Sequence, residues 1–263
     1  MSFSEDPTLQ EVAQVIANAR RQRKTIDPIS KTYGIATVED AYAIARINTD
    51  LKLKAGVKVT GKKIGLTSKV VQQQLGVDQP DMGVLFQDME HLNGDEIDTA
   101  SLIQPKVEAE IAFVLGQDID DPNPSWSEFL LSIEYVVTAI EIVDSVIKDW
   151  AITIYDTVAD NASSALYVLG DQPVGLGALS LSETAMQMHI NGQLVSVGAG
   201  ASSLGHPLRS AYWLARTMAA NNQPLRRGEV ILSGSLGPMI PARKGDIVDV
   251  SISGLGRVGC RFA

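Results

Sequence analysis

Around Val57 the hydrophobic periodicity of this chain changes, and the change restricts its fold more than any other feature. Before it, apolar residues recur at spacings of three and four: Val12, Val15 and Ile16, then Ala41, Tyr42, Ile44, Ala45 and Ile47. That spacing predicts two amphipathic helices, over Leu9 to Arg23 and Val38 to Leu53, with Asp27-Pro28 breaking the chain between them. After it come short runs rich in Val and Ile, separated by Gly, Pro, Asn and Asp, the pattern of strands and turns. Strands are expected at Val57 to Ile64, Lys106 to Leu115, Tyr135 to Val143, Ala165 to Leu169, Met186 to Ile190, Val230 to Ser233, Ile247 to Ile252 and Arg257 to Phe262. Helices are expected at Ser68 to Leu75 and at Leu208 to Ala220, the latter bounded by Pro207 and Asn221-Asn222. Helices first, then a strand-rich body with scattered helices, fit an α+β class better than a regular βαβ array.

With 263 residues, 45% of them hydrophobic, the chain can bury one substantial core. We read residues 1–263 as one domain, with 1–56 a mainly helical N-terminal portion. The longest apolar runs, such as that around Val136 to Val143, fall far short of the roughly 18–20 residues that span a bilayer. The N-terminus, Met1 to Asp6, is acidic and lacks the basic and apolar regions of a secretory signal, so the expected location is cytoplasmic. A net charge of -9 argues against nucleic acid or a membrane surface as partner, since phosphate binding needs a basic face. The single cysteine, Cys260, excludes an intrachain disulfide and a thiolate metal site, and reads as a small packed hydrophobe. No two of His91, His189 and His206 are at helical i, i+4 spacing, which disfavours a histidine-built zinc site.

Strand alternation in Lys106-Val107-Glu108-Ala109-Glu110-Ile111-Ala112-Phe113-Val114-Leu115 puts Val107, Ala109, Ile111, Phe113 and Leu115 on one face and both glutamates on the other. A bare Glu-x-Glu of this kind is commonly a solvated strand face. Glu141 changes the weighing, because it interrupts the apolar run Tyr135 to Val143, and a carboxylate inside a buried strand costs several kcal/mol if nothing compensates it. A basic neighbour would do so. Alternatively, three carboxylates with no histidine or thiol nearby would make a hard oxygen site suited to Mg2+ or Mn2+.

Gly61-Lys62-Lys63-Ile64-Gly65-Leu66-Thr67-Ser68 carries a strand into an expected helix N-terminus, capped by Thr67 or Ser68, where free N–H groups could receive a substrate carboxylate. Lys62 and Lys63 should point to opposite faces, one solvated and one inward, unless both are surface charges. An inward lysine beside a metal can donate a proton or clamp charge. Gln79-Pro80-Asp81-Met82-Gly83 reads as a turn. Asp156 to Ser164 reads as a polar loop running into a strand, either tied down by its own side chains or lining a pocket. Gly198-Ala199-Gly200 lacks dinucleotide-fingerprint spacing and is assigned no cofactor. His206, before Pro207, reads as a helix-start residue.

Several of these segments, in order, carry a resemblance: Gly61 to Ser68, Leu75-Gly76-Val77-Asp78-Gln79-Pro80-Asp81, Gln104 to Glu110, Lys148-Asp149-Trp150, Asp156 to Ser163, Leu204-Gly205-His206-Pro207, and Ile231 to Leu236. Together they resemble the 2-keto-4-pentenoate (2-hydroxypenta-2,4-dienoate) hydratases of the fumarylacetoacetase-like superfamily, from about Gly34 to Phe262. The resemblance implies a strand-rich mixed sheet rolled around the active site, an Mg2+ or Mn2+ ion, and homo-oligomers, pentamers or decamers. It implies an enzyme of aromatic meta-cleavage catabolism that adds water to a small unsaturated 2-keto acid to give a 4-hydroxy-2-keto acid, and that could associate with a decarboxylase or aldolase of the same pathway. On it, Glu108, Glu110 and Glu141 fall on metal-ligand positions, Lys63 and Asp81 on proton-transfer positions, and Leu66, Thr67 and Ser163 beside the substrate. Met82 stands where an aromatic residue is usual and Val146 where relatives often carry arginine, which bears on pocket shape. The competing activities are a 4-oxalocrotonate-type decarboxylase and, from another class, a non-catalytic keto-acid-binding subunit.

Overall fold

In the computed structural model, which describes residues 6–69, 72–73 and 77–263, the N-terminal periodicity becomes helix α1 (Pro7–Gln22), a single turn α2 (Ile29–Thr32) and helix α3 (Val38–Lys54). Asp6 caps α1 by accepting from the Thr8 N–H, and Thr37 caps α3 by accepting from the Asp40 N–H. The left-handed Arg23 (φ 53°) ends α1. The apolar stripes of α1 and α3, including Val12, Ile16, Ile44 and Ile47, pack on Val146, Ile147, Ile154 and Val158 from the body of the protein. The helical portion therefore shares a core with the strand-rich part.

That part contains two mixed sheets. The larger is built from β1 (Val59–Gly65), β2 (Asp81–Phe86), β3 (Glu90–Leu92), β5 (Lys106–Leu115), β6 (Ile133–Val143), β7 (Ser164–Leu169), β10 (Val230–Leu232) and β11 (Ile240–Pro241). Its order is β2-β1-β10-β5-β6-β7-β3, with β11 added beside β5. Thr60 of β1 and Tyr167 of β7, on widely separated strands, meet through their hydroxyls at 2.8 Å. The sheet is thus rolled, although among the described residues no ladder closes it into a barrel. The smaller sheet holds β4 (Glu96–Ile97), β8 (Ala185–Ile190), β9 (Gln193–Ala199), β12 (Ile247–Ile252) and β13 (Gly256–Phe262), in the order β4-β13-β12-β8-β9.

Helices α4 (Trp126–Leu131), α5 (Ile154–Ala159) and α6 (Pro207–Ala220) complete the regular elements used below. Val107, Ala109, Ile111 and Phe113 on one face of β5 join Met188, Val250, Val258 and Phe262 of the smaller sheet and Leu214 and Met218 of α6 in the main core, where Cys260 also packs. Each such fully buried side chain contributes roughly 1.5–3 kcal/mol of transfer free energy. The other face of β5 lies inside the roll: Ala112 and Val114 pack there with Leu85, Val137, Ala139, Tyr167 and Leu232. Glu108 and Glu110 continue that inner face toward the opposite end.

Three local expectations differ from the structure. Asp81 begins strand β2 rather than lying in a turn, because residues 81–86 pair antiparallel with β1 and the ladder overrides weak local propensity. The segment Asp156 to Ser164 is not one irregular loop; α5 covers its first part, capped by Thr153 and Asp156 in a reciprocal box. Of the helix expected at Ser68 to Leu75, Lys69, Gln72 and Gln73 are helical, and residues 70, 71, 74 and 75 lie outside the described residues. His206 does cap α6, its Nδ1 accepting the Leu208 N–H at 3.1 Å. Among the described residues no helix is long and apolar enough to cross a membrane.

Candidate active site

Strands β5 and β6 run antiparallel with Glu108 directly opposite Glu141, and Glu110 stands two residues further along β5. The alternation of both strands aims all three side chains into the roll, where carboxylate oxygens from the three residues lie within 4.8 Å of one another. Glu110 and Glu141 are fully buried and Glu108 is partly buried. Glu110 Oε2 accepts the Gly234 N–H at 2.8 Å, while Glu110 Oε1 and Glu141 Oε1 have no hydrogen-bond partner among the described residues. Burial, and then the charge of Glu141, push the Glu108 carboxyl up to about 7. The same two causes in the same order, joined by Glu108, hold Glu110 well above the ordinary carboxylate range, and burial raises Glu141.

One ammonium stands against this cluster. Lys63 Nζ lies 3.4 Å from Glu141 Oε2 and donates to the Ala162 carbonyl at 3.2 Å. Burial by itself would lower the Lys63 pKa, but Glu141, Asp81, Glu108 and Glu110 together hold it above the usual lysine value. Asp81, opposite Gly65 in the β1–β2 register, is buried, and its Oδ1 has no hydrogen-bond partner among the described residues. Burial raises its pKa against the pull of Lys63. A Cβ on Gly65 would sit 2.1 Å from Asp81 Oδ1, so the carboxylate occupies space that only glycine leaves. The expected partition of the lysine pair into one solvated and one inward residue fails in part. Lys62 does take the opposite face, but it is also buried, 4.0 Å from Glu229 Oε1, because main-core residues cover that face.

The Ala162 carbonyl is delivered by an unusual turn. Asn161, Ala162 and Ser163 all have positive φ, between 53° and 56°, a conformation costing of order 1 kcal/mol or more for each non-glycine residue. Side chains hold it there. Asp160 accepts from Arg20 of α1 and from the Val146 N–H, and Asn161 bonds both the N–H and the carbonyl of Val84. Ser163 is buried with its Oγ 3.1 Å from Thr157 Oγ1. Thr67 is buried too, its side chain filling the space a Cβ on Gly234 would need. Leu66, at φ 55°, follows Gly65 and packs toward the N-terminal helices.

Sequence reasoning missed three contributors. Tyr42 was read as one apolar member of a helix stripe, yet its hydroxyl accepts the Met82 N–H at 3.1 Å, beside Asp81. Arg20 gave no signal distinguishing it from other helix-end cations, yet it bonds the buried Asp144 and Asp160. Gly234 serves Glu110 through its backbone, which no side-chain pattern reveals. At the two unusual positions, Met82 is partly buried against the main core, and Val146 is fully buried among the N-terminal helices, where Arg20 supplies the nearby guanidinium.

The donor set fits a hard divalent cation: three convergent carboxylates, two orphaned oxygens, and no histidine or thiol in the group. Lys63, with Lys106 acting on Glu108 from further off, is an incomplete counter-charge for the buried Glu110, Glu141 and Asp81 and the partly buried Glu108.

A family described as fumarylacetoacetate (FAA) hydrolase C-terminal matches residues 59–263. A 2-keto-4-pentenoate hydratase of Paraburkholderia xenovorans (strain LB400) is 51% identical over 253 residues, covering 96% of this chain and 94% of that protein. A protein of Pseudomonas putida (strain ATCC 700007 / F1), described as TodF product hydratase, is 48% identical over 255 residues, covering 97% and 95% of the two chains. Among solved structures, 4-oxalocrotonate decarboxylase from Pseudomonas putida G7, complexed with magnesium and adipate, superposes with a TM-score of 0.92 at 32% identity over 97% of both chains.

Proposed function

The chain belongs to the fumarylacetoacetate hydrolase family, and from that membership we propose that it is a 2-keto-4-pentenoate hydratase, a hydro-lyase of aromatic meta-cleavage catabolism. The observation that carries this reading is the convergence of Glu108, Glu110 and Glu141 beside Lys63, in a chain about half identical to named hydratases along nearly its whole length. The substrate is 2-hydroxypenta-2,4-dienoate or a close homologue, and the product a 4-hydroxy-2-keto acid.

In this reading Glu108, Glu110 and Glu141 hold Mg2+ or Mn2+. When bound, the cation supplies Lewis-acid stabilisation of charge on the carboxylate and C2 oxygen of the substrate. The Lys63 ammonium, fixed by the Ala162 carbonyl, holds or moves the proton at the C2 oxygen while the distal carbon is protonated. Asp81 takes a proton from the water that adds at C4, and a carboxyl whose pKa burial has raised is a stronger base than a solvated one. Leu66, Thr67 and Ser163 line the substrate. The whole chain works as one catalytic domain in the cytoplasm, and the exposed Leu194, Val197 and Ile247 of the smaller sheet suit burial in a homo-oligomer such as a pentamer or decamer. A decarboxylase or aldolase of the same pathway is the matching partner.

The decarboxylase reading has one observation in its favour, the near-complete superposition on a decarboxylase, but at 32% identity against 51% for a hydratase. Following dienol absorbance with purified protein, with and without a chelator, tests the proposal: turnover to a 4-hydroxy-2-keto acid that stops on chelation is expected. Carbon dioxide release from a 2-keto-3-enedioate, without hydration of the dienoate, would reverse the assignment.

A further inference from the structure

Tyr42 stands on α3, in the helical portion, yet its side chain reaches the start of β2. Its hydroxyl accepts the N–H of Met82, the residue next to Asp81. A phenol oxygen that accepts in this way still has its own proton to give, and no acceptor for that proton occurs among the described residues. Beside it lies a matching deficiency, for Asp81 Oδ1 is buried and has no hydrogen-bond partner among the described residues. An unspent donor from α3, seated at Met82, and an orphaned acceptor on the preceding residue of β2, which do not bond each other, are the two ends of a site for a small hydroxylic molecule. Burial, and then the Asp81 charge, raise the Tyr42 pKa, so the hydroxyl stays a neutral donor.

We infer that Tyr42 and Asp81 together hold the water that adds to the substrate, Tyr42 donating to its oxygen and Asp81 accepting one of its protons. This rests on the reading of Asp81 as the base for hydration. In the step, the water oxygen forms a bond to C4 of the 2-keto-3-enoate and one water proton passes to Asp81. The C3–C4 π pair moves toward C3 and the C2 oxygen, and Lys63 stabilises the charge there; the proton taken by Asp81 then passes to C3, directly or through solvent, which completes the addition of one water and restores the Asp81 carboxylate. Accepting one hydrogen bond from Tyr42 leaves a water lone pair free to attack, and fixes which one. Tyr42 serves the addition of water and not the earlier proton shifts, which belong to Lys63 and the carboxylate cluster. The N-terminal helical portion therefore supplies a reacting-site group, rather than only covering the fold.

Tyr42→Phe keeps the ring that packs against the helical cluster and removes only the hydroxyl. Two reactions are read on the same holoenzyme: hydration of 2-hydroxypenta-2,4-dienoate, and solvent deuterium exchange at C3 of 2-oxopentanoate, which enolises but has no double bond to hydrate. The expected result is a kcat for hydration lower by roughly tenfold to a hundredfold, with KM and deuterium exchange close to wild type and the melting temperature lowered by only a few degrees, because the Met82 N–H loses its acceptor. In the double variant with Asp81→Asn, hydration should be no slower than in Asp81→Asn alone, because both residues act on one water. Wild-type hydration by Tyr42→Phe, a parallel loss of exchange, or slowing that multiplies with Asp81→Asn would each overturn the inference. Near-normal hydration by Asp81→Asn would instead remove Asp81 as the base, a failure read separately from that of Tyr42.

Discussion

Glu108 and Glu141 face each other across the β5–β6 ladder as register partners, two carboxylates side by side on the same face of adjacent strands. Like charges placed so are destabilising, and burial enlarges the penalty. The arrangement is sustained by Lys63 on one side and is suited to a divalent cation on the other.

Relief of that repulsion should separate stability from activity. Glu110→Gln keeps an oxygen for the Gly234 N–H and removes one charge from the cluster. In chelator the variant should melt a few degrees above wild type, a gain of about 1–3 kcal/mol, while hydration with saturating Mg2+ is abolished and added Mg2+ no longer raises the melting temperature. Calorimetric scans with and without Mg2+ check both halves, and near-normal turnover would remove Glu110 from the metal site.

Lys63 is the reverse case. Lys63→Met leaves Glu141 and Asp81 buried without their cation, so the metal-free protein should lose about 3–5 kcal/mol. Hydration should fall at least about a hundredfold, and C3 exchange of 2-oxopentanoate should fall with it. Retained exchange would show that Lys63 does not serve the C2 oxygen.

Asp160 sets a pH dependence away from the carboxylate cluster. Burial pushes its carboxyl up to about 6, against the attraction of Arg20, while in the unfolded chain it titrates near 4. The folded state therefore binds this proton more tightly, so stability from this group is greatest below pH 4 and declines as pH rises to 6, by about 2–3 kcal/mol. Asp160→Asn should remove that decline from the plot of melting temperature against pH. An unchanged slope would assign it to other groups.

Gly65→Ala tests positioning by sterics alone. Gly65 has no positive φ, so the variant carries no backbone strain, but the new methyl would stand 2.1 Å from Asp81 Oδ1. Hydration should drop by roughly tenfold or more while C3 exchange survives better, since displacing a group by about 1 Å can cost a hundredfold. Equal activity in both assays would mean that the position of Asp81 is not limiting.

Much of the fold was legible because its signals are local and periodic. The stripes of α1 and α3, the alternation of β5 and the apolar run of β6 each state which face is buried, whatever the partner. Glu141 was conspicuous because a charge inside such a run needs compensation. β2 was not legible: Asp81-Met82-Gly83 has turn composition, and only pairing with β1 makes it a strand. Lys62 misled for a similar reason, since alternation shows that its side chain opposes that of Lys63 but not that the opposite face is also covered.

By itself the sequence determined the α+β order, the shared direction of Glu108 and Glu110, and the presence of a carboxylate that a buried strand must compensate. These follow from the two- and 3.6-residue periods of the backbone, which act over a few residues. The tertiary structure decided that Glu141 falls opposite Glu108, that Lys63 is the cation that meets Glu141, and that Tyr42 reaches Met82, Arg20 reaches Asp160 and Gly234 reaches Glu110 from distant parts of the chain. Strand register and the roll of the sheet are long-range pairings, fixed by total burial and hydrogen bonding across the molecule, and no local window of residues contains them.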